Sequence, residues 1–93
     1  YYAYATQGMH AGRMHNIPVA RSPDLMRWEL VADALPVKPG WAAATQDFWA
    51  PHVHHHAGRY YLYYSAKPDA ALTDTSRGLC LAVAVADSPA GPF

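Results

Sequence analysis

"LCLAVAVADSP" (residues 79–89) alternates perfectly, yet neither of its faces is polar. In a strand, successive side chains point to opposite sides. Leu79, Leu81, Val83 and Val85 therefore form a bulky face, and Cys80, Ala82, Ala84 and Ala86 a small one. An ordinary two-layer sandwich leaves one face of each sheet to water. A strand that is apolar on both faces asks for cover on both, so this run belongs to a sheet held between two neighbours.

Further period-2 runs stand at "YYAYAT" (1–6), "IPVARS" (17–22), "WELVADAL" (28–35), "HVHHH" (52–56) and "YYLYYSA" (60–66). They are separated by turn signals: "QGMHAGRMHN", "SPDLMR", "PVKPG", "HAGR", "PDAALTDTSRG" and "SPAGP". Gly, Pro, Asn and Asp recur there because the chain must reverse. The pattern predicts six strands and no helix. It also repeats: "YYAYAT" followed by "VARSPDL" returns as "YYLYYS" followed by "VADSPAG", with a longer connection in the second copy. Two copies of one sheet unit, each covered on both faces, point to an all-β fragment of a β-propeller, about two blades long. The expected division is 1–40 as outer strands of a first blade and 41–93 as inner strands of a second. The Tyr runs should pair antiparallel with 17–22 and 79–86.

The totals narrow the function. The chain has 93 residues, with 7 basic and 7 acidic side chains and no net charge. It lacks the field that gathers phosphates, which argues against a nucleic-acid partner. No stretch approaches the roughly 20 apolar residues of a membrane span. The single cysteine, Cys80, allows no internal disulfide and is expected as a small buried hydrophobe. No targeting segment is legible, so localisation stays unread. Nor is there a nucleophile elbow, a phosphate-binding Gly loop or a paired-Cys motif. What remains is carbohydrate chemistry, binding or structure, and the seven tyrosines suit both buried sheets and sugar clefts.

Most carboxylates (Asp24, Asp69, Asp74, Asp87) sit in turn signals, where Asp caps backbone N–H groups. Asp47 differs, since it precedes "FWAP" and can reach a cavity shared with His52. The histidines 52, 54, 55 and 56 pose the question of a metal. On a strand, His52, His54 and His56 fan out along roughly 14 Å, too far for one zinc with ligands near 2 Å. No metal held by two or more of them is expected, and no cofactor. Trp49, beside Pro51, is either a sugar platform or a buried support.

"FWAPHV", then "AGRYYLYYSA", then "LAVAVADSPAGPF" resemble glycoside hydrolase family 43, and "VARSPDLMRWELVADAL" resembles the outer part of a first blade there. The resemblance implies a five-bladed propeller that cleaves arabinofuranosyl or xylosyl linkages in plant polysaccharides with inversion. It implies a base Asp before Tyr1, an acid Glu after Phe93, and an acid-orienting Asp at the position held here by His52. That substitution makes His52 the site candidate among the four histidines, with Asp47 as the alternative carboxylate and Trp49 as a sugar contact. It also keeps open a propeller that binds glycans without cutting them, or one that is purely structural.

Overall fold

The computed structural model describes residues 1–44, 47–69 and 78–93. Eight strands and no helix occur among them: β1 (Tyr2–Tyr4), β2 (Gly8–His10), β3 (Arg13–His15), β4 (Pro18–Arg21), β5 (Glu29–Asp33), β6 (Trp49–His56), β7 (Arg59–Ala66) and β8 (Cys80–Ala86). They form antiparallel sheets in the orders β1-β4-β5 and β6-β7-β8, with β2-β3 as a separate hairpin. The expected pairings of the Tyr runs are present, Tyr4 opposite Val19 in the first sheet and Tyr63 opposite Val83 in the second. The long connection 67–78, with Asp74, lies largely outside the described residues.

Two points of the sequence reading are corrected. "QGMHAGRMHN" is a hairpin, because Ala11 and Gly12 both adopt positive φ (48° and 75°). That is the two-residue turn whose twist matches the strands it joins. Its strands are three residues each, too short for alternation to register. The same "HAGR" tetrapeptide closes β6 and β7, with Ala57 and Gly58 at 48° and 77°. Cys80 is exposed rather than buried. It opens an edge strand opposite Ala66, where no element described covers it.

The two larger sheets share one core. Ile17, Val19, Ala34 and Leu35 of the first pack with Phe48, Leu62, Tyr64 and Ala66 of the second. Phe48 is the largest fully buried side chain, tilted against Tyr64 at 5.6 Å between ring centroids, and Trp41 stacks on Tyr64 at 6.4 Å. Alternation decides which face of each strand enters. In β7, Leu62, Tyr64 and Ala66 go in while Tyr63 stays out; in β8 the alanines turn in and Leu81, Val83 and Val85 face outward.

Polar groups fix the strand ends. The Asp33 carboxylate accepts hydrogen bonds from the backbone N–H groups of Asn16 (2.7 Å), Ile17 (3.0 Å) and Leu35 (3.0 Å). The buried Asn16 side chain donates to the Leu35 carbonyl at 2.7 Å. The C-terminal "SPAGPF" then straps the sheets together: the Tyr4 hydroxyl donates to the Pro89 carbonyl at 2.6 Å and the Phe93 N–H to the Ala34 carbonyl at 2.8 Å. Gly91 has φ 81°, and a Cβ there would stand 2.6 Å from the Ala34 oxygen, so only glycine fits.

Replacing Phe48 with Ala should cost about 3–5 kcal/mol, the usual range for a buried aromatic, read as a lower urea midpoint. Burial pushes the Tyr4 hydroxyl up to about 12 from 10, with Tyr2 and Tyr60 adding to the shift. A raised pKa favours the protonated form in the folded state. Its contribution is thus complete below pH 10 and is lost as pH rises towards 12. Tyr64 is shifted the same way by burial. Tyr4→Phe should remove part of this alkaline loss, measured by circular dichroism against pH, and cost about 0.5–1.5 kcal/mol at neutral pH through the lost bond to Pro89.

Candidate active site

The start of β6 carries the residues singled out by sequence. Phe48 is buried, so its neighbour Trp49 must point the other way, and the indole is 51% exposed. Regular alternation would then place His52, three residues on, opposite to Trp49. A bulge prevents this. Trp49 pairs with Ser65 and His52 with Tyr63, so two residues of β6, Ala50 and Pro51, stand against one of β7, Tyr64. Ala50 takes up the extra length at φ 50°, and Pro51, which has no N–H to give to a ladder, is at home in such an interruption.

Because Ser65 and Tyr63 lie on one face of β7, their partners Trp49 and His52 lie on that face too. Trp49, His52 and Tyr63 are all exposed there. The face therefore offers two flat apolar surfaces and an imidazole able to donate or accept a hydrogen bond. Tyr63 is not among the residues that the sequence singles out. Only the cross-strand register identifies it.

Past the bulge, His54 and His56 continue on the face of His52, with rings stacked at 6.2 Å, while His55 lies on the opposite face against Tyr60 at 4.5 Å. All three are exposed at the hairpin end. Among the described residues no group of three or more His, Cys, Asp or Glu side chains is placed to hold a metal ion. Asp47 is half-buried one residue before Phe48, in a left-handed backbone conformation with φ 49°.

The β2-β3 hairpin stands at the same end of the molecule, since the Gln7 N–H donates to the Phe48 carbonyl at 3.0 Å. Gly8 opposes His15 and His10 opposes Arg13, so His10, Arg13 and His15 share a face, the two imidazoles meeting edge-on at 5.7 Å. Met9 and Met14 occupy the other face, exposed. The hairpin adds polar and soft apolar groups that a reading of this segment as a turn does not supply, and Arg13, Met14 and His15 line a groove against Leu30–Asp33 of β5.

Comparison with known proteins bears on this arrangement. The extracellular endo-alpha-(1->5)-L-arabinanase of Thermotoga petrophila is 34% identical over 93 residues, an alignment covering 84% of this chain and 19% of that protein. The chain thus spans about a fifth of that relative's length. No solved structure gives a significant match. The model of the glycosyl hydrolases family 43 matches residues 1–93, from the Tyr run of β1 to the strap at Phe93. The chain belongs to glycosyl hydrolases family 43.

Proposed function

We propose that the protein containing this chain is a glycoside hydrolase acting on arabinofuranosyl or xylosyl linkages of plant polysaccharides, by single displacement with water. The family match along residues 1–93 carries the reading. The arabinanase relative favours arabinose over xylose. In this reading residues 1–40 supply outer strands of one propeller blade and 41–93 the inner strands of the next; the outward row Leu81, Val83 and Val85, which continues the face of Tyr63, meets a further blade, while Trp49 and His52 on the edge strand β6 stay open to the channel. Inversion requires an acid and a base carboxyl roughly 6.5–9.5 Å apart, with water between base and sugar.

Trp49, His52 and Asp47 are this chain's contribution to the site. Trp49 stacks on a sugar ring, and its position is fixed by the burial of Phe48. His52 hydrogen-bonds a sugar hydroxyl or the acid Glu. A neutral imidazole suits this role, because a cationic one would lower a neighbouring Glu pKa and weaken it as an acid. A second reading, glycan binding without cleavage, is favoured by one observation: His52 stands where the resemblance places the acid-orienting Asp.

The two separate in the full-length protein. Hydrolysis of arabinan or an aryl arabinofuranoside is expected. Retention on the polymer with no release of sugar would instead select the binding reading. Replacing His52 with Ala should lower kcat/KM on the aryl glycoside at least about tenfold, equivalent to about 1.4 kcal/mol of transition-state stabilisation. Unchanged kinetics would remove His52 from the site.

A further inference from the structure

The β2-β3 hairpin has no core of its own. Its strands are three residues each, and an isolated two-stranded hairpin is marginal in water. The Gln7 N–H fastens its base to the Phe48 carbonyl. A second fastening is built into one of its faces. The register sets Gly8 opposite His15 and His10 opposite Arg13, so these four residues share that face.

Both imidazoles are half-buried, with ring centroids 5.7 Å apart. A ligating ring nitrogen lies about 2 Å from zinc, so two rings on one tetrahedral ion have their centres roughly 5 Å apart. A small rotation of either ring closes the difference. The His15 Nδ1 lies 3.2 Å from the Arg13 carbonyl oxygen. A neutral imidazole that donates there keeps its lone pair on Nε2, and a backbone carbonyl behind the ring is a usual outer partner of a metal-bound histidine. The His54 and His56 rings, 6.2 Å apart and 17° from parallel, set their in-plane lone pairs side by side instead.

Gly8 makes room between the two rings. It stands in β2 with no positive φ that would require glycine. A Cβ there would lie 3.6 Å from His10 Nε2 and 3.7 Å from the Thr6 carbonyl oxygen, and His15 is directly opposite. The space over Gly8 is thus bordered by a ring nitrogen, a carbonyl oxygen and a second imidazole, all from residues 6–15. Two nitrogens and one oxygen suit a borderline divalent ion such as zinc, copper(II) or nickel, whereas calcium and magnesium ask for oxygen alone. Arg13 shares the face but is exposed, and no ion pair holds it there among the described residues. Its long side chain is free to turn its charge to solvent, away from a cation.

We propose that His10 and His15, with the Thr6 carbonyl, bind a divalent ion of the zinc class that staples β2 to β3. The site does not rest on the glycoside-hydrolase reading. The test is limited tryptic digestion of the tag-free full-length protein in EDTA and in zinc chloride, read by mass spectrometry. Trypsin cuts after Arg13 in this hairpin and after Arg59 in the second His-Ala-Gly-Arg turn, whose longer ladder serves as the internal reference. Zinc at about ten times its Kd should slow cleavage after Arg13 about tenfold relative to Arg59. His10→Gln combined with His15→Gln should abolish that protection. Gly8→Val should abolish it too, since it keeps both imidazoles and fills the space between them. The ratio of rates with and without zinc stays readable where a substitution by itself loosens the hairpin. Zinc titration calorimetry gives a second reading, with one ion fewer expected in the double variant than in the wild type. An unchanged ion count, protection that survives in the double variant, or wild-type cleavage after Arg13 that ignores zinc overturns the proposal.

Discussion

Phe48 makes the two sheets one body. Its ring is the largest side chain wholly removed from water, and it sits where Tyr64 of one sheet meets the Ile17 and Val19 cluster of the other. The backbone at this residue does a second job, its carbonyl accepting from Gln7 and so bringing the β2-β3 hairpin to the same end. Once Phe48 is buried, the direction of Trp49 is no longer free. Site and core are set by consecutive residues, and any change that lets Phe48 leave its pocket would turn Trp49 away from the face it shares with His52 and Tyr63.

That dependence explains why the bulge matters more than the histidine count. A strand without interruption would divide Trp49 and His52 between two faces; one extra residue at Ala50 and Pro51 unites them. The remaining histidines follow the restored alternation. His54 and His56 inherit the face of His52 but run towards the hairpin end, and His55 takes the other face against Tyr60. Four imidazoles in five residues are thus spread by strand geometry, and this is the physical reason they do not converge.

Much of this is legible in the residues alone. Both long pairings follow from alternation, because Tyr60–Ala66 and 79–86 carry apolar residues at every second position and the earlier copy repeats them. The rest depends on long-range contacts that local pattern does not carry. The bulge needs the partner strand's register to be seen. The strap from Pro89 to Phe93 returns to Tyr4 and Ala34, residues far away in sequence. Cys80 departs from the ordinary habit of free cysteine, since residue type says nothing about standing at a sheet's edge. The outward row Leu81, Val83 and Val85 is the converse case. The alternation of "LCLAVAVA" asks for cover on both faces, the alanine face has it in this chain, and Leu81 remains 79% exposed. An apolar row of that kind is the contact a neighbouring blade would use in the propeller proposed above.

The two copies of "HAGR" separate what a turn decides from what its flanks decide. Both close a two-residue hairpin with the same pair of positive φ values, so the tetrapeptide specifies reversal in either setting. The ladders they join differ in length: three residues on each side for β2 and β3, eight on each side for β6 and β7. Past the second turn Val53 and Leu62 lie opposite one another on the core face, and each further pair adds apolar burial. Past the first stand Met9 and Met14, exposed and with little to gain from extending the ladder. Packing, not the turn, sets how far a hairpin grows. The short hairpin is consequently held through Gln7 rather than through a core of its own, and its second strand sets Arg13 and His15 along a groove against Leu30, Val31 and Asp33 of β5.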